Sequence, residues 1–120
     1  MTIKSTPNKT PRVFAVRNLP SAEEKQIHQY LSVLVDACCQ NSAGSWFGLR
    51  DLMGGANKDW SGTPLQVLYE RHVTPGADPR YAYSRAAVDG GRLLKQVLDG
   101  DQREFESKKG YRTALYRLVT

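Results

Sequence analysis

The sequence predicts a mainly helical α+β domain, and three observations carry that prediction. Apolar residues recur at three- and four-residue spacing in two long segments, residues 21–41 and 79–98, as one buried helix face requires. A capping residue is followed at once by proline twice, at Thr63-Pro64 and Asp78-Pro79, where proline's missing N–H costs nothing at the first helical position. The carboxy-terminal run, rich in Tyr, Thr, Leu and Val, follows a basic turn ending in Gly110, which is the pattern of a β-hairpin.

Residues 1–20 hold three prolines, several Ser, Thr and Asn and four bases, with no sustained period; they read as a flexible basic arm, locally extended at residues 13–16. Residues 21–120 make one domain. It opens with a capping box, Ser21-Ala22-Glu23-Glu24, in which hydroxyl and carboxylate each satisfy a free backbone N–H. Ile27, Tyr30, Leu31, Leu34, Val35 and Cys38 follow on one helical face, which stops near residues 41–44. Trp46, Phe47 and Leu49 mark a short strand or the entry to a helical turn at residues 49–53. Residues 54–62 form a loop with Trp60 as its anchor into the core. Thr63, Pro64 and Gln66 then start a short helix with a buried stripe of Leu65, Leu68, Tyr69 and His72; His72 reads as a packed or capping histidine. Residues 74–77 break that helix. The next runs from Pro79 to about Leu98 and stops at Asp99-Gly100. Residues 103–107, the turn Lys108-Lys109-Gly110 and residues 111–119 complete the hairpin.

Composition narrows the function. No apolar run approaches the roughly 20 residues that span a bilayer, and no export signal opens the chain, so the expected location is the cytoplasm. The adjacent Cys38 and Cys39 form no disulfide framework. With His28 and His72 on separate helices they also lack metal-ligand spacing, so they read as half-buried thiols and neither metal nor cofactor is expected. The glycines at 54, 55 and 62 do not match a phosphate loop. No nucleophile–base pair, carboxylate pair or metal cluster points to catalysis or to a small-molecule substrate. The net charge of +5 lies at the ends: Lys4, Lys9, Arg12 and Arg17 face no acid in residues 1–20, and nine bases oppose six acids in residues 76–120. Basic ends attract phosphate backbones.

At 100° per residue with Leu94 at the centre, Tyr83, Ala87, Gly90, Leu94, Val97 and Leu98 fall within about 60° and should be buried. Tyr81, Arg85, Val88, Arg92 and Gln96 fall on the opposite face. Asp89 lies within salt-bridge reach of Arg85 and Arg92. Guanidinium groups fork to guanine or phosphate and tyrosine reaches phosphate, so the outward row suits a DNA groove. The alternative is a solvated or protein-binding face.

Capped helix, short strand, capped helix, tight turn, longer helix and basic hairpin, in that order, resemble a winged helix-turn-helix domain. The run from Gly91 through Leu98 and that from Tyr111 through Val119 resemble the end of its recognition helix and its wing. The resemblance implies that residues 63–73 are the first helix of the motif, with residues 49–53 as the rival, and residues 74–78 its turn. Residues 79–98 would be the recognition helix, with Arg80, Tyr81, Ser84 and Arg85 in the major groove of double-stranded DNA. Arg92 would lie further along that outward row, and Lys108, Lys109 and Arg112 would form the wing. The expected role is transcriptional or replication regulation. The alternative is a winged-helix protein–protein interaction module without nucleic-acid binding. Ile27, Tyr30 or Leu34, wherever left uncovered, would offer a homodimer face.

Overall fold

Residues 3–5, 15–41, 44–54, 60–110 and 114–119 are described in the structure, a computed structural model, with residues 3–5 as backbone alone. The order is β1 (Ile3–Ser5), α1 (Ser21–Asn41), α2 (Leu49–Leu52), α3 (Gln66–Glu70), α4 (Pro79–Asp99), β2 (Phe105–Lys109) and β3 (Ala114–Leu118). The chain is therefore α+β and mainly helical, with an antiparallel hairpin at its carboxy-terminal end.

In α1, Ile27, Leu31 and Val35 are buried at four-residue spacing, and Tyr30, Leu34 and Cys38 pack beside them. Fully burying one such aliphatic side chain contributes about 1.5–3 kcal/mol. Ile27, Tyr30 and Leu34 therefore serve the core rather than standing uncovered. Phe47 exchanges two backbone hydrogen bonds with Tyr116, at 2.8 and 2.7 Å, and α2 starts directly afterwards, so residues 45–53 are both a strand-like bridge and a helical turn. The Asp51 carboxylate caps α2 by accepting from the Gly48 N–H at 2.8 Å.

Around the five-residue α3, i→i+3 bonds extend helical structure from Thr63 to Val73. Thr63 Oγ1 accepts from the Leu65 N–H and donates to the Trp60 carbonyl. Trp60 packs against the core, as its place in the loop predicts; residues 55–59 of that loop lie outside the described residues. The turn at residues 74–77 closes with Ala77 N–H on the Thr74 carbonyl at 3.0 Å, Pro75 second and Gly76 third at φ +82°. That is the positive φ a type II turn demands at its third residue. Asp78 then caps α4 through the Arg80 N–H at 2.9 Å.

The sheet order is β1-β2-β3, with β1 parallel to β2 (Ile3 opposite Phe105) and β2 antiparallel to β3 (Phe105 opposite Leu118). Strand β1 lies within the stretch whose composition predicts an arm, because three residues are too few to carry a readable period. Val16 is buried; residues 13 and 14 of the expected extension lie outside the described residues. Phe105, Ser107 and Tyr116 point inward, and Phe47 meets both rings at 6.2 Å between centroids. Burial pushes the Tyr116 hydroxyl up to about 12. Arg103 joins the segment after α4 to α1, donating to Asp101 at 2.8 Å and Asp36 at 2.6 Å; its bond to Asp101 holds that carboxyl below its ordinary range.

Two expectations need correction. Lys108 and Lys109 are not turn residues: they end β2 opposite Leu115 and Ala114, because ladder pairing continues two residues further. The buried stripe of α4 is Ala82, Ala86, Asp89, Gly90, Leu93, Leu94, Val97 and Leu98. Tyr83, at 53% exposure, and Ala87 lie outside it. A wheel with one fixed centre assumes neighbours parallel to the axis. Here burial follows two rows, 82-86-90-94-98 and 89-93-97, each winding about 40° with each step of four.

Candidate nucleic-acid interface

The winding of the buried stripe determines how much of α4 is free. Its carboxy-terminal half lies in the body of the domain, but of residues 79–88 only Ala82 and Ala86 are buried. Ala82 and Ala86, with the Tyr83 ring 4.5 Å from that of Tyr69, anchor a helix start that is otherwise exposed. Tyr81, Arg85 and Val88 stand on its open side at four- and three-residue spacing, with Tyr81 48% and Val88 49% exposed. The Arg85 guanidinium lies over the Tyr81 ring, 5.4 Å from its centroid. A contact of this kind is worth roughly 0.5–1 kcal/mol at an exposed site. It narrows the directions in which Arg85 points.

The remaining predicted contacts divide. Ser84 and Arg80 are exposed on the same protruding turns, but Arg80 folds back on Asp78 with Nε and Nη2 at 3.0 and 2.7 Å. This pair holds the Asp78 carboxyl below and the Arg80 guanidinium above their ordinary ranges. Arg92 is half-buried, so the outward row runs into the protein at its carboxy-terminal end. Gln96 is also half-buried and accepts a hydrogen bond from His28 Nε2 at 2.7 Å, tying α4 to α1.

Asp89 does not neutralise the arginine face. It is 8% exposed, turned inward, and accepts from His72 Nε2 at 2.7 Å. The row 89-93-97 carries position 89 to the buried side, where the histidine from the end of α3 supplies the donor that a buried carboxylate needs. His72 is accordingly a packed histidine. Beside it, a hollow of about 50 Å³ lies between α3 and the start of α4, lined among others by Tyr69, Val73, Thr74 and Ala77. That is far below the roughly 300–1,000 Å³ of an ordinary small-molecule site.

On the hairpin, Lys108 and Lys109 are exposed, and Arg112 lies outside the described residues. Sequence reasoning missed what supports them. Trp46 carries the Lys108 ammonium 4.2 Å and the Arg117 guanidinium 4.5 Å from its ring centroid. Arg117 also pairs across the strands with Glu106, Nε to Oε1 at 2.6 Å. The pairing register places Glu106, Lys108 and Arg117 on the outer face of the hairpin, opposite the buried Phe105, Ser107 and Tyr116. The parity of these positions in the sequence could have shown that grouping, but not that Trp46 would lie across it.

Cys38 and Cys39 are free and half-buried, and burial raises both thiols above their ordinary range. Among the described residues, no group of three or more His, Cys, Asp or Glu is placed to hold a metal ion. No helix among them is long and apolar enough to cross a membrane.

No family model matches the chain, and neither a curated protein nor a solved structure does.

Proposed function

We propose that the chain is a winged helix-turn-helix protein that binds double-stranded DNA, as a cytoplasmic regulator of transcription or replication. The observation that carries this reading is the protruding first half of α4, with Arg85 braced by Tyr81 and only Ala82 and Ala86 committed to the core. A helix about 10–12 Å across fits a major groove about 12 Å wide, provided its side chains are not needed elsewhere. In this assignment α3, the type II turn and α4 form the helix-turn-helix, the bridge at Phe47 joins the hairpin's sheet, and the hairpin is the wing. Arg85 reads bases with Tyr81 and Ser84 beside it. Lys108 and Lys109 contact phosphates, and Arg112, four and three residues further along the chain, adds a third base. Arg80 and Arg92 contribute less than their charge suggests, being drawn to Asp78 and into the protein surface respectively. No cofactor, catalytic step or small-molecule substrate is part of this function.

A second reading has its own support. Tyr83 stacks on Tyr69 with centroids 4.5 Å apart, and Val73 and Val88 stand exposed nearby in the chain, which suits a protein partner. Binding of the purified chain to a randomised duplex pool separates the readings. Under DNA recognition, Arg85→Ala reduces discrimination among sequences, whereas Lys108→Ala with Lys109→Ala weakens binding to all of them and flattens its salt dependence. If both variants bind duplexes as the parent does, the assignment is wrong and the protein-partner reading takes its place.

A further inference from the structure

Arg85 and Val88 present two different chemistries from one exposed row. Val88 is 49% exposed on a helix face whose neighbours include Tyr81, Ser84 and Arg85. A β-branched apolar side chain is a poor choice there for helix propensity. It adds nothing to the core, because the buried ridge passes on the other side of the helix through Ala86, Asp89 and Gly90. In the major groove, the apolar feature that such a side chain can meet is the 5-methyl group of thymine, while guanine's O6 and N7 are the pair that a guanidinium forks to. Three residues of helix rise advance about 4.5 Å, close to the 3.4 Å that separates successive bases along a strand. Neighbouring members of the row can therefore address neighbouring base pairs.

We infer that α4 selects a guanine with a thymine at the adjoining step, Val88 packing on the thymine methyl and Arg85 bonding the guanine. Tyr81 is a positioning residue that holds the guanidinium by its ring face. This specificity rests on the DNA-binding reading and adds a chemical determinant to it. The inference is independent of Asp89, whose carboxylate is engaged by His72 away from this face.

The test is selection from a randomised duplex library, followed by affinity measurements on the selected site with each thymine replaced by deoxyuridine, which removes only the methyl group. One replacement weakens binding about fourfold, the effect of leaving one methyl group unburied. In Val88→Ala that difference between thymine and deoxyuridine disappears, while the requirement for guanine persists. Tyr81→Phe keeps the guanine preference and Tyr81→Ala loses much of it, although both fold, since the ring is half exposed. If the selected site contains guanine but binds equally well with deoxyuridine at every position, the thymine inference is overturned and DNA recognition stands. If no duplex is enriched or bound, DNA binding itself fails and the inference falls with it.

Discussion

His72 and Asp89 sit on different helices, 17 residues apart, and meet at 2.7 Å with side-chain exposures of 23% and 12%. Removing either leaves the other partly buried without its partner, and such a loss costs more than the intact bond contributes. Asp89→Ala is expected to lower unfolding stability by about 1.5–3 kcal/mol, the range for a hydrogen bond to a charged group. His72→Ala should lower it comparably, and the double variant should cost less than the two together. Denaturant unfolding of the three variants measures this coupling; strict additivity would mean that the pair contributes nothing specific. The same bond keeps a negative charge off the face where Arg85 stands.

Among the elements, α4 is shaped by where its neighbours cross it. A Cβ added at Gly90 would lie 2.7 Å from Leu49 Cδ2 and 3.2 Å from a ring carbon of Trp60, so α2 and the loop before α3 approach the backbone itself. Gly90→Val pushes three methyl-sized groups into that space. Overpacking of this kind costs about 1–3 kcal/mol, and thermal unfolding should show a lowered Tm; an unchanged Tm would mean that Leu49 and Trp60 have room to yield. The loss should reach DNA binding only through stability, because Gly90 faces away from Tyr81, Arg85 and Val88. The hairpin is organised differently. Its inner face is held by Phe105 and Tyr116, while its outer face gathers Lys108 and Arg117 over Trp46.

Element scale is also where the sequence is most legible. Capping residues and proline located α4 to within one residue of its observed end, since Asp78 and Pro79 act through local backbone chemistry alone. The helix break at residues 74–77 and the buried face of α1 were legible for the same reason. The stripe on α4 was not, because which residues it buries depends on the elements packed against it. One wheel centred on Leu94 therefore put Tyr83 and Ala87 inside and left Asp89 near the arginines. At the candidate site, Tyr81 and Val88 could be placed from the carboxy-terminal stripe because they lie about 80° or more round the helix from both versions of it, whereas Arg85 lies only about 40° from the buried Asp89. The His72–Asp89 bond, the Gln96–His28 bond and the place of Trp46 depend on partners 17, 68 and about 60–70 residues distant, which no local pattern encodes.

For the molecule as a whole, charge and shape bear on the same proposal. The formal charge of +5 is carried by the two ends of the sequence, and pairing β1 with β2 brings part of the amino-terminal stretch beside the basic hairpin. Local concentration of cations near a phosphate chain releases counterions, and that release gives DNA binding its dependence on salt. An apolar protein contact through Tyr83 and Val73 would lack it. The most direct measurement is the affinity of the chain for a short random-sequence duplex at 50 and 200 mM salt. With three or four phosphates neutralised, DNA binding predicts a loss of roughly 40- to 150-fold between those concentrations. Absence of duplex binding at 50 mM, or an affinity that does not change across the range, would contradict it.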